Sequence, residues 1–312
     1  MKRFAMKDYG DAEDVLVALE AQPRAIDESH IRVEIKAFAI NPYDIALRQG
    51  KMQAFRKLNF PYVLGNDAVG IVTEIEGHDS PFAIGEQVLL HAVGGTYGEE
   101  IVVPTKKVVK KPESMSWEFA AGVVTPWLTA YNIVTHVLAD QIGNTVLIEG
   151  ASGAVGSLLV QLLKQKGKTV LASASSRNKD FVLHLGADEF AAYDQEDVGK
   201  VFADRADIVI DATRGGQENQ SGIQAMKIGG IFIALNELPK EPEKAGDYVA
   251  YSPSKEYSDQ EALIALTKKA AHIQLEIAEV LPFQLSSVIK GHEDLAKHHA
   301  AGKIIIKKGD NE

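Results

Sequence analysis

A glycine-rich corner holds the residues whose types and spacing point most directly to chemistry. Gly150, Gly153 and Gly156 separate an apolar run at 145–149 from an apolar-periodic segment at 157–166. Glycine permits a tight turn and a close approach of helix to strand, and the amide groups at a helix N-terminus favour an anion. The pattern predicts a dinucleotide site, although glycine at a helix entry can also serve packing alone. The predicted contacts of this corner are Gly150, Ser152, Gly153, Ala154, Val155 and Gly156.

The second strand-like run, at 168–174, leads into the stretch that should distinguish NADP(H) from NAD(H). NAD-specific domains carry an Asp or Glu about 20 residues after the glycines, where it accepts the ribose hydroxyls. Here the segment after the run has hydroxyls and a guanidinium, and no carboxylate before Asp180. Because such groups suit a 2'-phosphate, the sequence predicts NADP(H). The alternative is that these residues only cap the next helix. The predicted cofactor contacts are Ser173, Ser175, Arg177 and Lys179.

Later strand ends supply further predicted cofactor contacts. Ala212 ends a predicted strand at 207–212, and Leu235 with Asn236 lies at the end of another at 230–235. Ligands bind beyond the carboxyl ends of parallel strands in sheets of this kind. We therefore expect these three residues near the cofactor.

Composition excludes several function classes. The chain has 312 residues and a formal net charge of -10, which argues against a nucleic-acid partner because phosphate contacts need clustered Lys and Arg. It has no cysteine, so disulfides and thiolate metal sites are excluded. No segment has the apolar length of a membrane span or signal peptide. We expect a cytoplasmic protein without a membrane partner.

The elements that must position these residues fall into two kinds. Residues 1–115 read as short strands separated by Pro- and Gly-containing turns, which predicts a mostly antiparallel, barrel-like domain. From Ser116, a predicted helix N-cap, strands and helices alternate, which predicts an α/β fold with a doubly wound parallel sheet. A second helix is predicted at 125–137, interrupted near Pro126, and an exposed loop at 237–258.

Three motifs in this order resemble the medium-chain dehydrogenase/reductase superfamily, and within it the zinc-free NADPH quinone oxidoreductase branch. The first is Asn41-Pro42-Tyr43-Asp44 followed by Arg48 and Gly50; the others are the stretch from Pro61 to Gly70 and the glycine corner. The resemblance implies a GroES-like catalytic domain at 1–115 and 279–312, a Rossmann dinucleotide-binding domain at 116–278, a cleft between the two domains and a homodimer. It also implies that Thr125 lies beside the nicotinamide.

The resemblance also bears on the metal. Zinc-dependent relatives bind their catalytic metal through Cys, His and a further ligand, with the His in a Gly-His-Glu element. The matching element here is Gly65-Asn66-Asp67. An amide and one carboxylate make a poor zinc site, so no metal is predicted.

A site without metal needs an acceptor that can itself absorb an electron pair. Quinones and α,β-unsaturated carbonyls do so, which predicts NADPH-dependent reduction of a quinone. Asn41 is the predicted polar group near the nicotinamide or substrate oxygen and Tyr43 the predicted proton donor; Asn66 and Asp67 line the cleft or form a turn. Asp44 and Arg48 are expected to pair structurally. The alternatives are a 2-alkenal or enone reductase, and an NADPH-binding redox sensor with little turnover.

Overall fold

The computed structural model describes residues 1–77, 79–138, 143–214, 219–254, 256–297 and 302–309, and of Asn219 only the backbone. The strands formed within these ranges are β1 Lys2–Met6, β2 Leu16–Glu20, β3 His30–Ile40, β4 Tyr62–Val63, β5 Asp67–Ile75, β6 Gln87–His91, β7 Glu100–Pro104, β8 Val108–Lys110, β9 Thr145–Glu149, β10 Thr169–Ala174, β11 Glu189–Ala192, β12 Ala206–Asp211, β13 Met226–Ala234, β14 Gly246–Ala250, β15 Ile277–Pro282 and β16 Lys303–Lys307.

The helices are α1 Ala12–Val15, α2 Pro42–Arg48, α3 Trp117–Asn132, α4 Ala154–Gln165, α5 Lys179–His184, α6 Val198–Val201, α7 Asn219–Ala225, α8 Asp259–Lys269 and α9 Leu285–Ala296. A π-helical turn, Ile133–Val137, continues α3. None of the helices in the described ranges has the length and apolar character that a bilayer crossing requires.

The chain divides into two compact units. The first comprises Met1–Thr125 and Asp259–Glu312, and the second is Pro126–Ser258. These limits differ from the predicted boundaries after residues 115 and 278. Asp259 accounts for the second difference, because its carboxylate accepts from His91 Nδ1 at 2.9 Å and pairs with Lys107, which are both residues of the first unit. The functional assignment of the two parts stays a prediction.

The second unit is built on a six-stranded parallel sheet in the order β11-β10-β9-β12-β13-β14. Apolar side chains fill the central strands: β9 is buried from Val146 onward, and β10 is buried after its first residue. Strands that read as continuous apolar runs are typical of a parallel sheet covered on both faces. The predicted α/β fold with a parallel sheet is confirmed, and the strand order is that of a doubly wound dinucleotide-binding sheet.

The first unit contains a three-stranded sheet, β2-β1-β4, and a seven-stranded sheet in the order β15-β16-β3-β5-β6-β8, with β7 pairing β3. All pairs are antiparallel except β15 with β16. Alternate residues of β3, including Val33 and Ile35, enter one apolar core. No pairing among the described residues joins β15 to β8, so closure into a barrel stays a prediction.

Two predicted elements were wrong. A single helix, α3, replaces the two predicted between 116 and 137; it contains Pro126 in its interior. Ser116 does begin this helix, since its Oγ accepts the Phe119 N–H at 3.1 Å.

The predicted exposed loop contains β14, which pairs in parallel with β13 although none of its residues is fully buried. The predicted last helix ends earlier, at Ala296, and its expected end at residue 301 lies outside the described residues.

Candidate functional site

The glycine corner connects β9 to α4 in the second unit. Gly150 has a φ of +72°, which favours glycine, and Gly153 donates its N–H to Gly150 O at 3.0 Å. A Cβ on Gly156 would lie 2.2 Å from Gly150 O, whereas one on Gly153 would lie 3.2 Å from it. Only glycine at 156 therefore lets α4 begin this close to the strand. The first amides of α4, from Ala154 onward, have no acceptor within the helix and can bind an anion.

Two neighbouring strand ends lie against this corner. A Cβ on Gly150 would be 3.1 Å from the backbone of Ala212, whose N–H donates to Glu149 O at 3.1 Å. Leu235 donates its N–H to Asp211 O at 3.0 Å, and the Asn236 side chain donates to Thr213 O. The fold thus brings the predicted residues Ala212, Leu235 and Asn236 to the edge of the sheet that carries the glycines.

The loop after β10 contains the predicted readers of the 2'-phosphate. Arg177 and Lys179 are exposed and Ser175 is half-buried, whereas the Ser173 side chain is fully buried within β10. Ser173 therefore faces the protein interior, and only its backbone reaches the corner, by accepting the Ala151 N–H at 2.9 Å. The Ser175 side chain makes no capping bond to the following turn, which removes support for the helix-cap alternative at that residue.

Asn178 and Asp194 also belong to this region, and neither was predicted as a site residue. Asn178 Nδ2 donates to Ser152 Oγ at 3.0 Å, and so ties the loop after β10 to the glycine corner. Asp194, which follows β11, accepts from Ser176 N at 2.8 Å and from Ser176 Oγ at 2.9 Å. Sequence reasoning missed this carboxylate because Asp194 follows the neighbouring strand β11 and lies 18 residues from Ser176 along the chain.

A buried polar network in the first unit contains three predicted residues. Asn41 Nδ2 donates to Asp67 Oδ2 at 2.9 Å, and Thr125 donates to Asp67 through Oγ1 at 2.6 Å and N at 3.1 Å. Lys303, from β16, donates to Asn41 Oδ1 and to Ile40 O. Asn41, Asp67 and Lys303 are almost wholly buried, and the Asn41 amide bridges the lysine to the Asp67 carboxylate.

A second buried chain of hydrogen bonds begins one helical turn later. Asp44 accepts from Asn41 N at 2.8 Å and from Tyr97 Oη at 3.2 Å. Tyr97 Oη also lies 3.1 Å from His292 Nε2, and Arg48 Nε donates to His292 Nδ1 at 3.3 Å. Since Nδ1 accepts, His292 is neutral with its proton on Nε2. The predicted pair of Asp44 with Arg48 is wrong, because Arg48 turns instead to His292 and Gly10 O.

The titration of this chain follows from its burial. Burial raises the pKa of Asp44 to about 7, and the neighbouring Asp67 charge adds to the shift. Burial lowers the pKa of His292 to about 3, with Arg48 as a second cause, in agreement with the neutral tautomer. Burial also raises the pKa of Tyr97 well above its ordinary value. These shifts make Asp44 a group that exchanges its proton near neutral pH.

Tyr43, the predicted proton donor, is half-buried and faces a guanidinium that was not predicted as a site residue. Arg56 Nη1 lies 3.1 Å from Tyr43 Oη, and Arg56 Nη2 lies 2.5 Å from Tyr62 Oη. Both tyrosine oxygens accept from Arg56, but Tyr62 Oη also donates its proton to Val93 O at 3.3 Å. Tyr43 Oη therefore keeps its hydroxyl proton for donation, next to the Arg56 cation.

Asn66 and Asp67 do not fit a zinc ion. Asn66 Oδ1 accepts the Gly94 N–H at 3.1 Å, which is a turn role, and the Asp67 carboxylate is engaged by Asn41 and Thr125. The chain contains no cysteine. The described residues also contain no group of three or more His, Cys, Asp or Glu side chains that could hold a metal.

Two family models match this chain. The Alcohol dehydrogenase GroES-like domain covers residues 27–113, and the Zinc-binding dehydrogenase model covers residues 185–306. Quinone oxidoreductase from Pongo abelii is 25% identical over 98% of this chain and 97% of its own length. A 2-methylene-furan-3-one reductase from Solanum lycopersicum is 26% identical over 98% of this chain and 79% of its own length.

A solved structure agrees with these relatives. The quinone oxidoreductase from Coxiella burnetii superimposes with a TM-score of 0.80 at 27% sequence identity, over 98% of this chain and 99% of that one. The predicted family resemblance is confirmed.

Proposed function

Because this chain belongs to the medium-chain dehydrogenase/reductase superfamily, whose dehydrogenases bind a nicotinamide cofactor, we propose that it is an NADPH-dependent reductase of quinones that uses no metal. The observation that carries the proposal is the glycine corner. Its close Gly156–Gly150 approach leaves the first amides of α4 open to a diphosphate. The cofactor, when bound, supplies the hydride that reduces the acceptor.

On this proposal the second unit holds the dinucleotide. The amides of Ser152, Ala154 and Val155 bind the pyrophosphate, since the Gly153 N–H is already donated to Gly150 O. Ala212, Leu235 and Asn236 line the same end of the sheet. Ser175, Arg177 and Lys179 bind the 2'-phosphate, because hydroxyl and cationic groups suit its charge. The side chain of Ser173 is buried, so we do not include it among the groups that contact the cofactor.

The first unit supplies groups for the acceptor. Tyr43, hydrogen-bonded by Arg56, donates a proton to the substrate oxygen, and the guanidinium stabilises the negative charge that develops there. Asn41 is a positioning residue, because both ends of its amide are bound to Asp67 and Lys303. Thr125, which the resemblance matches to a nicotinamide contact, is held in place by its bonds to Asp67.

The test is oxidation of NADPH and NADH by protein treated with a chelator, with 1,4-benzoquinone, 9,10-phenanthrenequinone and a 2-alkenal as acceptors. We expect NADPH-preferring quinone turnover that survives the chelator. Faster reduction of the 2-alkenal would favour the enone reductase alternative, which the 2-methylene-furan-3-one reductase relative supports. Tight NADPH binding without turnover would favour the redox sensor, and dependence on added zinc would refute the metal-free site.

Arg177→Ala tests the cofactor assignment separately. The variant is expected to raise the KM for NADPH about tenfold or more and to leave the KM for NADH unchanged, since the lost contact is charge-assisted. Equal efficiencies with the two cofactors in both parent and variant would refute NADPH specificity. The cytoplasmic location and the homodimer remain predictions; light scattering after size exclusion tests the dimer.

A further inference from the structure

Asp194 binds the loop that the proposed function assigns to the 2'-phosphate. Its carboxylate accepts from Ser176 N at 2.8 Å, Ser176 Oγ at 2.9 Å and Ser175 Oγ at 3.3 Å. The Ser176 backbone donor is the main reason why the pKa of Asp194 is lowered, so the group is an anion at neutral pH. Within the described ranges, neither Arg177 nor Lys179 forms an ion pair with it.

The three donors form a set that an anionic oxygen group would use. One backbone amide and two hydroxyls converge on the two carboxylate oxygens of Asp194. A phosphate on the ribose would need the same kind of donors. It must therefore displace the carboxylate from Ser175 and Ser176 or lie beside a like charge. A ribose that carries hydroxyls meets no such repulsion.

We propose that Asp194 is a specificity-determining residue for the cofactor: its carboxylate occupies the donors of Ser175 and Ser176 and so weakens binding of a 2'-phosphorylated dinucleotide relative to its unphosphorylated counterpart. This inference rests on the proposed dinucleotide site, and it concerns how strongly that site prefers NADPH. Arg177 and the carboxylate act in opposite directions on the same phosphate. Removing the carboxylate sharpens the preference for NADPH.

Binding of two nucleotide fragments tests the inference without any turnover. The dissociation constants of 2',5'-ADP and of 5'-AMP are measured by calorimetry for the full-length parent and for Asp194→Asn. The amide keeps the size and one acceptor oxygen. We expect 2',5'-ADP to bind about fivefold more tightly to the variant, with 5'-AMP changed less than about twofold, because a single exposed like charge has an effect of that order. The gain should shrink in 0.5 M salt, by screening.

Asp180→Asn is the matched control. Asp180 is an exposed carboxylate in the first turn of the adjacent helix α5 and makes no described hydrogen bond to Ser175 or Ser176. Its removal therefore changes the local charge by the same amount and leaves the bonds between Asp194 and the two serines in place. It is expected to change both constants less than about twofold. An equal gain in Asp180→Asn would overturn the inference, because general charge would then explain the effect.

Two further outcomes would also overturn it. If Asp194→Asn weakens 2',5'-ADP, the carboxylate organises the phosphate site rather than opposing it. If Asp194→Asn changes neither constant while the parent binds both fragments, the carboxylate has no part in discrimination, and the proposed function is unaffected. Failure of the folded parent to bind either fragment, or NADPH itself, would refute the dinucleotide site and the inference together.

Discussion

Asp44→Asn should remove a loss of folding stability that the parent undergoes as the pH rises. The Asp44 pKa, raised to about 7 from an ordinary value of 3.8, means that the folded state binds the proton more tightly than the unfolded state. The contribution of Asp44 to stability is therefore present below about pH 4 and is lost as the pH rises through 7. From pH 5 to pH 7 the loss is about 2 kcal/mol, at 1.36 kcal/mol per pKa unit. Asparagine can still accept from Asn41 N and Tyr97 Oη.

The assay is urea denaturation of parent and variant at half-unit steps from pH 5 to pH 7. We expect the free energy of unfolding of Asp44→Asn, relative to the parent, to rise by about 2 kcal/mol across this range. Leu47→Ala, a buried apolar truncation on the same helix, should lose about 2 to 5 kcal/mol by cavity formation at every pH. A relative stability of Asp44→Asn that stays flat or falls with pH would refute a raised Asp44 pKa.

For a His292 variant, the same denaturation experiment should show the opposite dependence of stability on pH. Its lowered pKa means that the unfolded state binds the proton more tightly, so its contribution is complete above about pH 6.5 and is lost as the pH falls toward 3. His292→Gln should therefore gain about 2 kcal/mol relative to the parent on going from pH 7 to pH 5. Because the two slopes oppose each other, the contributions of Asp44 and His292 to the stability of the parent nearly cancel between pH 5 and pH 7.

Three further predictions concern the two units. Gly156→Ala should abolish cofactor binding, measured by NADPH fluorescence titration, because its Cβ would lie 2.2 Å from Gly150 O; binding of normal affinity would show that α4 can shift. Lys303→Met should cost about 3 to 5 kcal/mol in denaturant titration because Asn41 Oδ1 loses its buried donor and the Asp67 carboxylate loses the cation that Asn41 bridges to it; a loss below 1 kcal/mol would contradict that account. Arg56→Gln should lower kcat for the quinone about 10- to 100-fold without raising the KM for NADPH if Arg56 acts through Tyr43; an unchanged kcat would remove it from the site.

Local patterns in the sequence predicted the parallel sheet and the glycine corner well. The central strands of the second unit, such as β9 and β10, are nearly continuous apolar runs, which predict buried parallel strands. β14 was not predicted because it is a five-residue edge strand with no fully buried residue, so its sequence shows no continuous apolar run. The helix interruption predicted near Pro126 is absent: α3 continues through this proline, which is buried. Proline removes a helical hydrogen bond and disfavours a helix interior, so the sequence pattern predicts a break that the surrounding structure prevents.

The candidate site was harder to predict because its contacts join distant positions. Asn41 meets Lys303 across 262 residues, and Arg48 meets His292 across 244. The expected Asp44–Arg48 pair rested on spacing along one helix, which says nothing about buried partners on other elements. Asp194 likewise reaches Ser176 only because β10 and β11 are neighbours in the sheet. Periodicity carries no information on such pairings.

The discontinuous first unit has a consequence for how the protein is made. About 180 residues of chain lie between Thr125 and Lys303, and the whole second unit is translated in that interval. At about 5–20 residues per second, the ribosome needs roughly 10 to 40 s to reach β16. During this time β3 lacks the partner strand that pairs with Ala37–Ile40, and the Asn41 side-chain oxygen lacks its lysine donor. The nascent protein therefore carries an open strand edge, which another chain could pair with until β16 is made.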